Sequence, residues 1–310
     1  MDLSEKARGL IREQIRDWDL AARNYRGLKK VKIKRFDFLN FRIDIQFNPE
    51  RIISSSAKVD PLSVKARPCF LCTKNLPAQQ KGLPFDDDYL VLVNPFPIFP
   101  EHLTIPALIH TDQRILNNFG RMLDLSARLK QFVIFYNGPK CGASAPDHLH
   151  FQVGIKGFLP IEEDFRKGIC CAEVRRTGNV TLWHWPDYLR GVITLSSKDK
   201  AGLVNVFMQI YNLLHDESPE ETEPMLNILT AFEGDSWQVH IFPRILHRPS
   251  QYFAPGEKQI LLSPASVDMG GVLITPREED FIKITKEDVV HIFGQVCADP
   301  VDVLNLIKQL

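Results

Sequence analysis

With 310 residues, 44% of them hydrophobic, the chain exceeds what one compact domain usually needs and suggests two domains, or one built from two similar halves. Its 38 basic and 38 acidic side chains cancel, so charge gives no argument for nucleic acid or an anionic membrane surface. No apolar run approaches membrane-spanning length, and the charged start Met1-Asp-Leu-Ser-Glu-Lys6 has no secretory character; a cytoplasmic setting with no nucleic-acid or membrane partner is expected.

In chain order, Leu10, Ile11, Ile15, Trp18 and Ala22 recur at helical spacing and predict a helix over 3–28, ended at Gly27. Residues 31–48 read as two strands joined at Leu39-Asn40. The polar stretch 51–67, with Ser54, Ser55, Ser56 and Lys58, reads as a solvated connection or a phosphate-holding loop. Cys69-x-x-Cys72 follows. Residues 89–94 form a strand, Asn94 to Pro100 a turn stiffened by three prolines, and 102–106 another strand. A helix is expected from His110 to Leu129, capped by Thr111 or Asp112. Strands over 131–137 and 148–153 complete the unit. This order indicates an antiparallel sheet with helices packed on one side, an α+β fold. A second unit begins near residue 170, with a strand over 192–196, a helix over 200–215 and strands over 226–233 and 237–243. There Gln238-Val-His240-Ile-Phe242-Pro stands in the place of the first unit's histidine strand. The chain thus reads as a weak internal repeat of halves 1–169 and 170–310.

The most telling stretch runs from Asn137 through Gly-Pro-Lys-Cys-Gly-Ala-Ser-Ala-Pro-Asp to His148-Leu-His150-Phe-Gln152-Val. Alternate strand residues point to opposite faces, so His148, His150 and Gln152 share one face beside a Gly142-Ala143-Ser144 turn. That grouping suits attack on phosphorus by an imidazole, with amide donors on the phosphoryl oxygens. The plain alternative is an exposed polar strand face. Cys69 and Cys72 have structural-zinc spacing, against the alternative of two reduced, buried thiols. With Cys141, Cys170, Cys171 and Cys297 they do not make the dense pattern of a disulfide scaffold. Trp183-His184-Trp185-Pro186 reads as a packing cluster rather than a base-stacking site.

Four motifs resemble the histidine-triad superfamily, in its branch of galactose-1-phosphate uridylyltransferases, GDP-L-galactose phosphorylases and ATP adenylyltransferases. They are His148-Leu-His-Phe-Gln152, Pro68-Cys-Phe-Leu-Cys-Thr-Lys-Asn75, the Asn94-Pro-Phe96 strand end with Pro100-Glu-His-Leu-Thr-Ile-Pro106, and Trp237-Gln-Val-His-Ile-Phe-Pro-Arg-Ile-Leu246. The resemblance implies two histidine-triad-like halves and a ping-pong reaction. His150 would attack the α-phosphorus of a nucleotide sugar or dinucleotide to form a nucleotidyl-histidine, and an acceptor would then take the nucleotide. Gln152 would hydrogen-bond a phosphoryl oxygen. Asn94, Phe96 and Ile98 would lie against the nucleoside.

The same resemblance implies a structural zinc site of Cys69, Cys72, His110 and His148, with His102 as a rival ligand, and no second metal, because Phe242 replaces the partner of His240. A homodimer is what the family implies. In the family a Ser or Thr usually lies three residues before the first histidine. Here Ala145 holds that place and Ser144 lies one earlier, so either the turn carries an extra residue or the backbone amides of Gly142 to Ala145 make the phosphate contact, with Asn137 beside them. Lys58 and Lys140 would neutralise phosphate. The second half would supply the sugar or phosphate pocket, with Arg244, His247, Arg248, Lys258 and Gln259 as candidates. The leading expectation is a nucleotidyltransferase acting on a nucleotide sugar with phosphate or a sugar phosphate as acceptor. The alternatives are a dinucleoside-polyphosphate phosphorylase or hydrolase, and a non-catalytic nucleotide-binding protein.

Overall fold

The structure, a computed structural model, describes residues 2–52 and 59–310. Ser54, Ser55, Ser56 and Lys58 lie outside the described residues. The strands are β1 (Lys32–Asp37), β2 (Arg42–Phe47), β3 (Gly82–Phe85), β4 (Tyr89–Val93), β5 (His102–Pro106), β6 (Phe132–Asn137), β7 (His150–Ile155), β8 (Ala172–Thr177), β9 (Val180–His184), β10 (Ile193–Ser197), β11 (Leu226–Glu233), β12 (Ser236–Pro243) and β13 (Val272–Thr275).

A ten-stranded sheet has the order β3-β4-β5-β7-β6-β11-β12-β10-β9-β8. The two halves follow one plan. Each lays down three strands in a row, crosses by a helix, and returns with two strands in reversed order. The crossing helices are Phe119–Arg128 and Lys200–Asp216. They meet through Phe119 and Phe207, stacked with ring centroids 3.9 Å apart. The halves join where β6 pairs antiparallel with β11, from Asn137 opposite Asn227 to Ile134 opposite Thr230.

One face of the sheet buries Phe119, Leu123, Phe151, Val153, Phe207 and Ile210 under these helices and the N-terminal ones. The other face is covered too, which the expected one-sided packing omits. A three-stranded sheet of order β1-β2-β13 lies there, with β13 parallel to β2, and a second core gathers Ile43, Ile45, Phe99, Leu273 and Phe293. Alternation of Phe41, Ile43 and Ile45 gives β2 a dry face that needs this cover.

Three local expectations change. The N-terminal helix breaks into Leu3–Asp17 and Asp19–Gly27 at Trp18, which is extended (φ −123, ψ 105) and 5% exposed. No helix starts at His110: the helix begins at Phe119, because residues 111–115 are tied to neighbours instead. Leu149 N–H donates to the Thr111 carbonyl, Gln113 N–H to the Pro146 carbonyl, and Ile115 N–H to Glu223 Oε2. The histidine strand β7 opens at His150, so His148 precedes it in the loop. No helix among the described residues is long and apolar enough to cross a membrane.

Candidate active site

His150 sits at the first position of β7, 3% exposed. Its Nδ1–H donates to the His148 carbonyl at 2.8 Å. That bond fixes the tautomer and leaves Nε2 with a free lone pair. Burial pushes the ring's pKa down to about 4, so it is neutral near pH 7. Two residues on, Gln152 Oε1 accepts from His102 Nε2–H at 3.1 Å, while His102 Nδ1 accepts from the Ile98 N–H at 3.1 Å. Burial, then the Arg51 cation, pushes His102 down to about 3 and keeps it neutral. With its oxygen thus engaged, Gln152 turns its NH2 group toward the cavity. His102, named as a rival metal ligand, sets the orientation of Gln152 and holds no metal position.

His150 and Gln152 line a cavity of about 710 Å³ together with Trp18, Phe70, Asn94, Phe96 and Ser144. A smaller cavity of about 60 Å³ adjoins it, lined by Asn137, Gly142, Ala143 and Ser144 of the first half and His247, Arg248 and Asp268 of the second. Arg51, Ser144 and Gln152 border both. Gly142 has φ +94, and a Cβ on it would lie 2.5 Å from the Ala265 Cβ, so only glycine fits where the halves touch. No described residue accepts from the backbone N–H of Gly142, Ala143 or Ser144. Three successive donors beside a cavity are suited to an anion.

The four expected metal ligands converge. The donor atoms of Cys69, Cys72, His110 and His148 all lie within 4.8 Å of one another. Cys69 Sγ to His148 Nδ1, Cys72 Sγ to His110 Nδ1 and the two Nδ1 atoms are each 3.2 Å apart, and Cys72 Sγ to His148 Nδ1 is 3.7 Å. Ligands around a tetrahedral zinc stand about 3.3–3.8 Å apart, so the set fits that ion. His148 Nε2–H donates to the Ala107 carbonyl at 2.8 Å, and Asp147 lies 3.8 Å from His110 Nε2. These partners leave each Nδ1 lone pair facing inward. Burial raises the Cys69 thiol, but His148 and the Leu71 and Cys72 amides outweigh it and bring it down to about 6.

Arg244, Lys140, Lys258 and Gln259 stand apart from the two cavities. Arg244 is 5% exposed and donates to the carbonyls of Val296, Pro264, Leu246 and His247 and to Asn227 Oδ1, which occupies all five of its N–H groups. It ties the second half together and has no donor left for a ligand. Lys140 is ion-paired with Glu221 on the surface, and Lys258 is exposed on the turn Gly256–Lys258. The Gln259 amide bonds the Tyr252 carbonyl and Arg277. Asn94 shapes its own turn, accepting from the Phe96 N–H and donating to Thr104 Oγ1. Trp183 and Trp185 hydrogen-bond Ser196 and Thr194 within the second half, as packing residues. In that half His240 Nδ1 lies 2.8 Å from the buried Thr194 hydroxyl, whose oxygen already accepts from Trp185 Nε1–H. The contact engages Nδ1, and burial pushes the ring's pKa down to about 3, so His240 is neutral near pH 7.

Arg51 and Gln113 were missed in the sequence, and His102 was named there only as a rival metal ligand. Each matters through partners distant along the chain, and only His102, inside the Pro-Glu-His-Leu motif, carried a local signal.

The two halves, each with this strand order and crossing helix, make a histidine-triad-like fold. A family profile described as "Domain of unknown function (DUF4922)" matches residues 10–155, and one described as "GDPGP1-like, C-terminal domain" matches residues 166–302. Yeast Ap4A phosphorylase Apa2 in complex with AMP shares the fold at TM-score 0.60 and 18% identity, over 91% of this chain and 94% of that one. Its complex with Ap4A gives TM-score 0.58 and 17% identity, over 91% and 96%. Among curated proteins none matches the sequence. The chain carries a GDPGP1-like C-terminal domain over residues 166–302 and shares its overall fold with yeast Ap4A phosphorylase.

Proposed function

We propose that the protein is a nucleotidyltransferase that takes a nucleoside monophosphate from a nucleoside-diphosphate sugar onto His150 and passes it to phosphate or a hexose 1-phosphate. The observation that carries this reading is His150 Nδ1–H held by the His148 carbonyl, with Nε2 free at the wall of the larger cavity. In the first step the Nε2 lone pair attacks the α-phosphorus. The P–N bond forms, the bridging P–O bond breaks, and the sugar 1-phosphate leaves with that electron pair. In the second step an acceptor oxygen attacks the same phosphorus and the P–N bond breaks, returning neutral His150. The Gln152 NH2 group and the free amides of residues 142–144 would hold the phosphoryl oxygens, with Arg51 balancing their charge. The larger cavity would take the nucleoside and the smaller one the acceptor or leaving phosphate, which makes 1–169 the nucleophile half and 170–310 a contributor to the second pocket. Cys69, Cys72, His110 and His148 would hold zinc, whose contribution when bound is to cross-link the cysteine turn to the loop before β7.

A second reading takes a dinucleoside polyphosphate as donor. It is favoured by the fold shared with yeast Ap4A phosphorylase over nine-tenths of both chains. The test is intact-mass measurement, under conditions that spare phosphoramidates, after incubation with UDP-, GDP- and ADP-sugars and with Ap4A, without acceptor. A nucleoside monophosphate adduct from one nucleotide sugar, absent in His150→Ala, is the expected result. An adduct from Ap4A alone would move the donor to dinucleotides. No adduct from any donor would overturn the covalent mechanism.

A further inference from the structure

The ladder between β6 and β7 runs from Phe132 opposite Ile155 to Phe135 opposite Gln152, and stops there. Continued by one more same-face pair, it would set Asn137 against His150. Instead the strands part, and the Gly142 turn and the cavities occupy the space beyond. Backbone groups freed by such a parting must find partners when buried. Here one side chain from a remote segment supplies them. Gln113 Oε1 accepts from the His150 N–H at 2.8 Å, and its NH2 group donates to the His150 carbonyl at 3.0 Å and to the Asn137 carbonyl at 2.9 Å. Both of its N–H hydrogens and its oxygen are engaged, and the residue is 0% exposed. Its own backbone is fixed by a bond to the Pro146 carbonyl, and two residues later Ile115 N–H is held by Glu223.

We propose that Gln113 is the positioning residue of the nucleophile: its amide replaces the missing β6–β7 ladder bonds and holds the His150 peptide where the ring Nδ1–H reaches the His148 carbonyl. This rests on His150 as nucleophile only for its kinetic consequence; the positioning stands on the contacts themselves. Gln113 lines neither cavity of the site, so it acts through His150. Gln113→Met keeps the length and removes all three bonds. Gln113→Glu keeps the acceptor but sets a carboxylate against two carbonyls.

Two measurements test it. In the unmodified protein, NMR hydrogen exchange should show the His150 amide as protected as the β7 interior. Exchange as fast as an exposed loop would overturn the proposal without any variant. In folded Gln113→Met, imidazole 15N shifts should show His150 losing its single Nδ1–H tautomer, and kcat should fall about 100-fold, with KM within about threefold, as a small misplacement of a reacting group does. The kinetic donor is whichever nucleotide labels the protein. An unchanged tautomer, or full kcat in Gln113→Met while His150→Ala is inactive, would overturn the positioning role alone. Full activity in His150→Ala would overturn the functional reading and leave the NMR result to decide on Gln113.

Discussion

Whether an imidazole attacks or donates depends on which nitrogen carries the proton, and this protein decides that twice with single hydrogen bonds. At His150 a carbonyl takes Nδ1–H, and Nε2 is open. At His102 the same device works one step removed. Its Nδ1 is tied to the Ile98 amide, so Nε2–H must point at Gln152 Oε1, and the Gln152 NH2 group is left to face the cavity. Removing a donor to a developing oxyanion costs about 100-fold or more, so Gln152→Leu is expected to lower kcat by about that factor. His102→Leu leaves the amide in place but free to rotate, and a loss of about tenfold is expected, with KM nearly unchanged. Steady-state kinetics of the two variants check this order; equal kcat in His102→Leu and the unmodified protein would mean that Gln152 is oriented by something else. His150, Gln152, Cys69, Cys72 and His148 could be singled out in sequence because each sits in a spacing motif, whereas His110 came only from the resemblance; the structure brings the four expected metal ligands together. Lys140, Lys258 and Arg244 were proposed from charge alone. Charge does not say whether a guanidinium meets a ligand or five protein acceptors.

Segment 111–118 shows the same limit at the scale of an element. Its composition suits a helix, yet its anchors at Thr111, Gln113 and Ile115 are tertiary, and one of their partners is titratable. Glu223, on the connection before β11, is 4% exposed. It accepts from Tyr136 Oη–H at 2.5 Å and from Ile115 N–H at 2.6 Å. Burial pushes its pKa up from 4.5 to about 7. Below the lower value both folded and unfolded chains hold the proton. Between the two only the folded chain holds it, so stability falls as pH rises through this window and levels off above about 7. A shift of this size corresponds to a loss on the order of 3 kcal/mol. Urea unfolding at pH 5 and pH 8 should show a smaller difference in Glu223→Gln, which stays neutral throughout. Equal pH dependence in the two proteins would show that Glu223 is ionised at both values.

For the whole molecule, the repeat was legible because each half carries its own alternating strands and crossing helix. What joins the halves was not. β13 is four residues long and pairs with β2, far earlier in the chain, and no periodicity marks that contact. The polar seam is equally silent in sequence. Asn137 Oδ1 accepts from Asn227 Nδ2, the Ser266 N–H and the Ser266 hydroxyl, and Asn227 Oδ1 accepts from Arg244. A residue lining the smaller cavity thus hangs on a buried arginine that lines neither. Lysine offers three donors without the planar fork, so Arg244→Lys leaves at least two buried acceptors unmet, each costing about 1–3 kcal/mol. A lower melting temperature is therefore expected in Arg244→Lys, with any change in KM following the loss of structure. A variant that melts like the unmodified protein but binds donor or acceptor more weakly would return Arg244 to the ligand site. The seam would then be held by Asn137, Asn227 and Ser266 without it.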